Sequence, residues 1–368
     1  MRVALIHDHL AQDGGAEKVL KVLTEMFPEA PIYTLLYEKK NADKYFKNRQ
    51  IETSIIQKLP GGIKHYQWYM PFMPMAVEFF DLREYDLVIS DTSSFAKGVI
   101  TSTDTLHICY CHTPTRYLWD YTHQYINELK YNKYLKKIIS LILNYIRVWD
   151  REAADRVDTY VANSETIKKR IKKYYRREAA VIYPPVEIEN FHISESQKDY
   201  FLIGGRLAPY KRVDIVVEAF KNSGKKLKIF GDGVDLERLK EIAAGSKNIE
   251  FLGRVNDKAK AELYSNCQAF LNPQEEDFGI TVVEAMASGR PIIAFRKGGA
   301  TETVIEGKTG IFFDEQTPAA VAEAVENFSA KEWQPAEIRS QAERFSVEKF
   351  KRELGSFIEE EYRKFKEK

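Results

Sequence analysis

The chain has 368 residues, of which 44% are hydrophobic and 30% charged, and its formal net charge is +1. This composition is typical of a folded globular protein and excludes a disordered one, and the length exceeds what one core usually supports, so we predict two domains. No apolar run approaches the about 18 residues of a membrane-spanning helix, and the opening MRVALIHDHL is too polar for a secretion signal, so we expect a cytoplasmic protein.

Charge and cysteine are unevenly distributed along the chain. Residues 1–183 contain 27 Lys and Arg against 22 Asp and Glu, whereas the remaining residues contain 28 against 32. The first half is therefore the one expected to face an anionic partner. The three cysteines, Cys109, Cys111 and Cys267, are odd in number and lack metal-ligand spacing, so we interpret them as small core residues in a reducing cytoplasm.

Short β-branched or aromatic runs alternate with amphipathic helical patterns, which predicts βα units that build parallel sheets. In the first half the predicted strands cover residues 2–7, 31–37, 87–90, 107–112, 159–164 and 179–184. A second series covers residues 200–205, 227–232, 249–254, 269–274, 291–295 and 309–313. Several of these runs are apolar without alternation, as expected of strands covered on both faces.

The restart of the strand series predicts an α/β protein with two doubly wound Rossmann-like domains facing each other across a cleft. The stretch YPPVEIENFHISESQKD has two prolines and a polar run, which predicts a linker over residues 184–199. The predicted domains are thus residues 1–183 and 200–345. Residues 346–368 have helical spacing and are expected to form a closing helix that packs back on one of the two domains.

Two segments of the first half do not fit a minimal βα repeat. Residues 131–149 combine an Ile/Leu face with Lys and Arg, and residues 59–80 crowd apolar and aromatic side chains around two prolines, namely Trp68, Tyr69, Met70, Phe72, Met73 and Met75. Core helices with solvated basic edges would explain both segments. The alternative is a peripheral contact with a membrane surface, since basic amphipathic helices with aromatic residues bind anionic interfaces.

A glycine turn follows the first predicted strand in IHDHLAQDGGAEKVLKVL, where Gly14 and Gly15 lead into a helix. Backbone N–H groups at the positive end of a helix suit a phosphate or a sugar oxygen. The same glycines also suit a plain tight turn, and the dinucleotide pattern G-x-G-x-x-G is absent here.

Histidines end two of the predicted strands. In HICYCHTPTRYLWD the strand ends at His112, and the first strand ends at His7, with His9 two residues later. Ligands of α/β domains bind beyond the carboxyl ends of the strands, so His112 is placed to touch a substrate, and the other two are weaker candidates. The alternative for each is a histidine that only satisfies backbone groups at the strand end.

A pair of cations follows the first strand of the second half. In FLIGGRLAPYKRVDIVVEAF, Arg206 and Lys211 flank a proline-containing loop between a strand end and a helix. Converging cations at that position suit a diphosphate, which they would bind and then stabilise as a leaving group. Solvated loop cations are the alternative, and the expected position at the mouth of a cleft argues against it.

The stretch QEEDFGITVVEAMASGRPIIAF has a cluster of acids and a further Glu eight positions after Glu276. Gly279 is expected to interrupt any continuous helix, which would place Glu276 on a loop and Glu284 in the first turn of the helix. On this pattern alone the acids could serve catalysis, metal binding or helix capping. Glu284 would equally suit the positive end of the helix dipole, whatever its ligand.

Other chemistry is excluded by the absence of its motifs. The sequence has no Asp-x-Asp pair for a metal-bound nucleotide sugar, no G-x-S-x-G elbow and no Walker loop. Its basic residues are dispersed, which argues against a nucleic-acid partner.

These motifs together resemble the family 4 glycosyltransferases, which are retaining enzymes of GT-B fold. The resemblance rests on the E-x7-E pair at Glu276 and Glu284, the Gly-Gly-x-Glu turn, ANSET, YPPV, GRLAPYK, FLGRV and KGGATETV, in the order of that family. YCHTPTRYLWD and EDFGI are most similar to the WbaZ-type O-antigen mannosyltransferase branch. The resemblance therefore implies transfer of mannose from GDP-mannose to a saccharide acceptor, lipid-linked, at the inner face of the plasma membrane.

The resemblance also implies a role for each motif residue. Arg206 and Lys211 would hold the donor diphosphate, Glu276 the hydroxyls of the transferred sugar, and Glu284 the ribose. His112 would lie near the sugar and the reacting centre. The remaining donor-binding positions would be Gly15 near the phosphate, Arg254 and Val255 near the base, and the backbone of Phe278, Gly279 and Ile280.

The expected reaction uses no metal ion and no cofactor besides the nucleotide-sugar substrate. Three alternatives remain: a UDP- or dTDP-sugar donor, a sugar-nucleotide 2-epimerase of the same architecture, and an inactive nucleotide-sugar-binding scaffold at the membrane. The acceptor, the linkage and the oligomeric state do not follow from the sequence.

Overall fold

The computed structural model describes residues 1–11, 14–221, 223–329 and 333–367. The chain divides into two compact units. The first comprises Met1–Tyr183 together with Phe350–Lys368, and the second comprises Pro184–Lys349. Within the described residues, no helix combines the length and the apolar character that crossing a bilayer requires.

The first unit is built on a seven-stranded parallel sheet with strand order β3-β2-β1-β4-β5-β6-β7. Its strands are β1 Val3–His7, β2 Ile32–Thr34, β3 Ile51–Thr53, β4 Leu87–Thr92, β5 Leu106–Cys111, β6 Thr159–Ala162 and β7 Ala179–Val181. The strands β4 and β5 are buried along their whole length, although they include polar residues, among them Asp91 and His107. In the register of β1 with β4, His7 stands opposite Asp91.

The helices of the first unit begin at polar capping residues in two instructive cases. The α-helices of this unit are α1 Gly15–Met26, α2 Lys39–Phe46, α3 Met73–Glu78, α4 Thr122–Glu128, α5 Lys133–Asp155 and α6 Glu165–Tyr175. The side chain of Asn132 accepts the N–H groups of Tyr134 and Leu135 where α5 begins. The hydroxyl of Ser164 accepts the N–H of Ile167 where α6 begins. Short 3₁₀ helices cover Ile55–Lys58, Tyr66–Phe72, Ala96–Gly98 and Arg116–Leu118.

The second unit contains a six-stranded parallel sheet with order β10-β9-β8-β11-β12-β13. Its strands are β8 Phe201–Arg206, β9 Leu227–Asp232, β10 Ile249–Gly253, β11 Phe270–Asn272, β12 Ile292–Phe295 and β13 Gly310–Phe313. The strand order reverses between β8 and β11, which is where ligands bind in doubly wound sheets. The helices are α7 Val213–Lys221, α8 Leu236–Ile242, α9 Asp257–Asn266, α10 Ile280–Ala287, α11 Ala300–Thr303, α12 Pro318–Ser329 and α13 Pro335–Glu343, with 3₁₀ helices at Ile188–Asn190 and Pro209–Lys211. The last helix, α14 Val347–Lys366, begins in this unit and belongs to the first unit from Phe350 onward.

The predicted α/β class with two doubly wound sheets is confirmed, and all twelve predicted strands are present. The sequence missed β3, a three-residue strand at the edge of the first sheet whose residues are only partly buried or exposed. So short an edge strand has no buried apolar run to reveal it.

Residues 184–199, predicted to be a linker, belong to the second unit in the structure. Val186, Ile188 and Phe191 are buried there. The Arg339 guanidinium donates to the Phe191 carbonyl at 2.8 Å, and the Arg290 guanidinium donates to the Ser194 carbonyl at 2.9 Å. Arginines far along the chain satisfy these backbone carbonyls, and the two prolines gave no sign of that packing.

The C-terminal helix α14 packs within the first unit from Phe350 onward. The Phe350 ring lies 5.7 Å from that of Tyr110, centroid to centroid. The Lys351 ammonium pairs with Glu25 at 2.8 Å. The sequence left open which domain this helix joins, and these contacts assign it to the first.

Candidate active site

The cation loop of the second unit begins where β8 ends, at Arg206. The loop is held by the Leu207 N–H, which donates to the Asp232 carbonyl at 2.9 Å. A 3₁₀ turn then brings Lys211 forward, and the turn ends at Arg212 with a φ of +52°. The Lys211 ammonium forms an ion pair with the Glu276 carboxylate, and both side chains are partly exposed.

Glu276 is held on its loop by its own backbone. It forms an isolated parallel bridge with Gly298, and its carbonyl accepts the Gly299 N–H at 2.8 Å. A Cβ on Gly298 would lie 2.2 Å from the Glu276 carbonyl oxygen, so only glycine fits beside this backbone. The carboxylate is thereby positioned next to Lys211. The resemblance assigned Lys211 to the diphosphate and Glu276 to the sugar, and these two groups are covalently joined in a donor.

Gly279 separates Glu276 from the helix that contains Glu284. It has a φ of +93° and directly precedes α10, so Glu276 lies on a loop, as predicted. The prediction that Glu284 lies in the first turn of the helix is wrong. Because α10 begins only at Ile280, Glu284 is its fifth residue, and the first turn contains no acid. Stabilisation by the helix dipole therefore does not explain this residue, since that effect is confined to the first turn.

Glu284 is only 2% exposed, and its carboxylate is held by two side chains of α9. It accepts from the Lys260 ammonium at 3.0 Å and from the Tyr264 hydroxyl at 3.3 Å. Burial, reinforced by the charge of Glu284, raises the pKa of Tyr264, which keeps the hydroxyl protonated as a donor. The sequence analysis did not identify either partner, because a Lys and a Tyr one turn apart on a helix do not indicate a contact with a carboxylate 20 or more residues later.

The other predicted donor-binding residues lie at neighbouring strand ends. Arg254 follows β10, and its guanidinium donates to the Asp232 carboxylate at 3.1 Å from a largely exposed position. Val255 follows it directly. The Phe278 ring is buried against Phe345, so its side chain is not available to a ligand.

Asn272, at the end of β11, is a candidate that the sequence did not reveal. Its side-chain oxygen accepts from the Gln274 amide at 2.7 Å, and both residues are buried. Its Nδ2 atom is buried and has no hydrogen-bond partner among the described residues. β11 adjoins the point where the strand order reverses, so a ligand oxygen there would satisfy this costly unpaired donor.

In the first unit, a buried carboxylate joins two of the predicted histidines. His7 Nδ1 lies 2.9 Å from Asp91 Oδ2, and His112 Nε2 lies 2.6 Å from Asp91 Oδ1. Asp91 is wholly buried, whereas His112 retains 12% side-chain exposure. His112 uses Nε2 toward Asp91, so its Nδ1 atom is the ring nitrogen that remains for a substrate. Sequence reasoning missed Asp91, although an acid at the end of a strand next to β1 was an available signal.

The electrostatics of this cluster favour a protonated His7. Burial alone lowers the pKa of His7, but the hydrogen bond to Asp91 and the charges of Asp91, Glu17 and Asp8 outweigh it and raise the pKa to about 9. Burial likewise opposes ionisation of Asp91, yet the charge and hydrogen bond of His112 and the contact with His7 lower its pKa. Asp91 is therefore an anion held between two imidazole rings.

The glycine turn connects to the same cluster through Glu17. α1 begins at Gly15, and the Gly14 N–H donates to Glu17 Oε2 at 3.0 Å. Glu17 Oε1 lies 4.0 Å from His7 Nε2. The Gly14 N–H that we considered for a phosphate is thus already bound, and His9 lies apart, with its ring 5.6 Å from that of Tyr66. Gln12 and Asp13 lie outside the described residues.

Comparison with known proteins gives matches over both units. A family model described as Glycosyltransferase Family 4 matches residues 13–190, and one described as Glycosyl transferases group 1 matches residues 186–345. Together the two models span almost the whole chain. Their boundary near residue 186 lies close to the division between the two compact units.

Three curated relatives show how far the sequence similarity extends. An uncharacterized glycosyltransferase of Methanocaldococcus jannaschii is 30% identical over 49% of this chain, and the match spans only 52% of that relative. The alpha-1,3/1,6-mannosyltransferase ALG2 of Dictyostelium discoideum is 23% identical over 84% of this chain and 85% of its own. A GDP-mannose-dependent alpha-mannosyltransferase of Mycolicibacterium smegmatis is 32% identical over 45% of this chain and 47% of its own.

The fold recurs in solved structures. The structure of Anabaena Alr3699/HepE in complex with UDP and glucose covers 98% of this chain and 99% of its own, with a TM-score of 0.73 and 19% sequence identity. At that identity the likeness establishes the architecture of two Rossmann-like units and nothing about the ligand.

Proposed function

The chain is a glycosyltransferase, with a family 4 region followed by a group 1 region, and on this premise we propose a retaining transfer of a hexose from a nucleoside diphosphate sugar to a saccharide acceptor. The observation on which the proposal chiefly depends is the ion pair between Lys211 and Glu276 at the end of β8. A cation and a carboxylate in contact match the adjoining diphosphate and hydroxyl groups of such a donor.

We propose that donor binding separates this pair. Lys211, together with Arg206, would turn to the diphosphate, and Glu276 would accept from the hydroxyls of the sugar. Partial exposure of both side chains supports this exchange, because a part-exposed ion pair contributes little on its own, about 1 kcal/mol or less. Glu284, held by Lys260, would accept from the ribose hydroxyls.

The proposed reaction depends on the hydrogen bonds and charges that these side chains supply. The two carboxylates bind hydroxyls and neither attacks the sugar, which distinguishes the enzyme from a glycosidase with its acid and nucleophile pair. Arg206 and Lys211 stabilise the charge that develops on the leaving diphosphate. The leaving phosphate itself helps to deprotonate the acceptor on the same face of the sugar, so the configuration is retained. His112 contributes a hydrogen bond to the transferred sugar through its Nδ1 atom.

We propose GDP-mannose as the donor. Support comes from the two relatives named as mannosyltransferases, one of which is named as GDP-mannose-dependent. A UDP-sugar is the competing donor, because the Anabaena protein of similar fold was solved in complex with UDP and glucose. We further propose a metal-independent reaction and the WbaZ-type branch, with a polyprenyl-linked saccharide acceptor at the inner face of the plasma membrane.

A donor screen tests the proposal. The melting temperature and turnover of the full chain would be measured with GDP-, UDP-, dTDP- and ADP-sugars, with and without a chelator. GDP-mannose is expected to give the largest thermal shift and mannosyl transfer that survives chelation. A larger shift and faster turnover with a UDP-sugar would replace the proposed donor.

Omitting the acceptor separates transfer from epimerisation. A transferase leaves the donor intact apart from slow hydrolysis, whereas an epimerase converts it into a second nucleotide sugar. Donor binding without any turnover across a panel of saccharide acceptors would instead favour the inactive scaffold.

A further inference from the structure

The long helix α5 presents apolar side chains to solvent on the side opposite its buried face. Leu143, Ile146 and Asp150 are buried in the first unit. At 3.6 residues per turn, the exposed apolar residues fall within a stripe about 80° wide, roughly opposite these three. We call this stripe the α5 face; it consists of Tyr134, Ile138, Leu141, Tyr145 and Val148.

The α5 face is unusually continuous for a soluble surface. It runs for about 21 Å along the helix, and each of its side chains is at least 54% exposed, with Leu141 at 73%. Single exposed apolar residues are normal, but a row of them marks a surface that contacts something apolar.

A second group of exposed apolar residues adjoins the same helix. Phe79 is 68% exposed and follows Glu78, whose Oε1 atom accepts from Trp149 Nε1 at 2.7 Å and pairs with Arg156 at 2.8 Å. These bonds attach the end of α3 to the second half of α5. Further exposed apolar side chains in this segment are Trp68, Phe72 and Met75.

The charge bordering the α5 face is mainly positive, and an exposed acid, Glu152, follows one turn after Val148 on the same side of the helix. Residues 129–149 contain five Lys and Arg and no Asp or Glu, and residues 53–77 contain two Lys and no acid. Among the described residues, none of the five cations in the first segment forms an ion pair. Two of them, Lys133 and Lys137, border the α5 face at about 60° to 100° from its centre.

From this arrangement we propose that the α5 face docks on the surface of an anionic lipid bilayer. The helix would lie in the interfacial plane, with Leu141 and its neighbours among the acyl chains and the lysines among anionic headgroups. The two tyrosines of the stripe and Trp68 suit the headgroup level, where amphipathic rings concentrate. A second copy of the chain on this face would bring no acid from residues 129–149 to meet Lys133 and Lys137, so an anionic lipid surface is the better complement.

This proposal deepens the membrane location given under the proposed function, on which it rests, but lipid binding can be measured with no sugar present. The full chain would be sedimented with vesicles of phosphatidylcholine alone and of an equal mixture with phosphatidylglycerol. We expect binding to the mixed vesicles, with an affinity that falls at least about tenfold at high ionic strength.

Two paired substitutions separate the apolar and electrostatic contributions. Leu141→Glu with Tyr145→Glu should lower the affinity for mixed vesicles by more than about tenfold, since charged residues are costly below the headgroups. The matched control is Val234→Glu with Ile305→Glu, which makes the same charge change at exposed apolar residues of the second unit and should bind like the wild type. Lys133→Gln with Lys137→Gln should weaken binding about tenfold, and only to the anionic vesicles.

The melting temperature of each variant shows whether it is folded. Because Lys133 and Lys137 are exposed, their substitution tests the proposal even if the Glu variant unfolds. Wild-type vesicle binding by folded Glu and Lys variants would overturn the proposal, as would equal wild-type binding to neutral and anionic vesicles. A wild-type dimer that binds no vesicles and dissociates on Leu141→Glu with Tyr145→Glu would overturn it in favour of a second copy. Vesicle binding without turnover of any donor would leave this inference standing and refute the transferase.

Discussion

The two units place ionisable groups differently at the carboxyl ends of their strands. In the first unit, the wholly buried Asp91 is bound by His7 and His112. In the second unit, Glu276 pairs with Lys211 on a loop that solvent reaches. A buried anion cannot lose its partners without a large desolvation cost, whereas a part-exposed pair can exchange them for a ligand. The first cluster is therefore expected chiefly to stabilise the fold, with His112 as its one contact to substrate, and the second to bind substrate.

Removal of the Lys211 ammonium should affect activity strongly and stability weakly. We expect Lys211→Ala to lower kcat/KM for the matched donor by about 10³-fold, because it removes a cation from the leaving diphosphate. The free energy of unfolding should fall by about 1 kcal/mol or less, as for other part-exposed pairs. Steady-state kinetics and urea denaturation measure the two effects.

Lys258→Ala is the matched control, since Lys258 is an exposed lysine of the same unit. It should leave both quantities unchanged. Wild-type kcat/KM in Lys211→Ala would contradict the assignment of this pair to the donor.

Asp91→Asn should affect stability strongly, in contrast to Lys211→Ala. The substitution leaves the buried His7 and the part-buried His112 without their shared anion, and we expect the free energy of unfolding to fall by about 3 kcal/mol. Urea denaturation at neutral pH measures the loss. A change below about 1 kcal/mol would show that the buried cluster is no more structural than an exposed ion pair.

The pH dependence of stability should also arise in the first unit. The pKa of His7 is raised to about 9 in the folded chain, from an ordinary value of 6.5. The folded state therefore holds more protons than the unfolded state between these values, and stability falls as the pH rises. The stabilisation is complete below about pH 6.5 and lost through pH 9, a total of about 3 kcal/mol.

Urea denaturation between pH 6 and pH 9.5 measures this slope. His7→Gln should flatten it, and His192→Gln, a change at an exposed histidine of the second unit, should not. An unchanged slope in His7→Gln would assign the titration to another group.

We expect the smallest effects from alanine substitutions at two glycines of the second unit. Gly279 and Gly245 have φ values of +93° and +83°, so alanine at either position should cost about 1 to 2 kcal/mol of stability. A Cβ on Gly279 would also lie 3.2 Å from Glu276 Oε2, whereas a Cβ on Gly245 meets nothing within 4 Å. Gly279→Ala should therefore raise the KM for the donor and Gly245→Ala should not. Equal KM values in the two variants would show that Glu276 does not depend on this turn.

Parts of the candidate site could be predicted because they depend on short stretches of sequence. Gly279 had to interrupt the helix, since glycine tolerates the left-handed conformation, and the loop position of Glu276 followed. The exact start of α10 did not follow, so Glu284 was placed one turn too early. The roles of the motif residues stay predictions until they are tested by substitution.

Contacts between distant segments could not be predicted in the same way. Lys260 reaches Glu284 from another helix, and Asp91 reaches two histidines that are 84 and 21 residues away. Nothing in the local pattern of either residue identifies these partners. The packing of residues 184–199 on arginines of the second unit was missed for the same reason.

The sequence by itself determined the α/β class, the two series of strands and the glycosyltransferase motifs, because hydrophobic periodicity, turn residues and motif spacing are local properties. Only the tertiary structure decided which ionisable groups pair with each other. It buried Asp91 between His7 and His112, paired Glu276 with Lys211, and left the outer side of α5 apolar and bordered by cations. Burial and charge pairing depend on which segments the fold brings together, and these set both the pKa of His7 and the surfaces that ligands can reach.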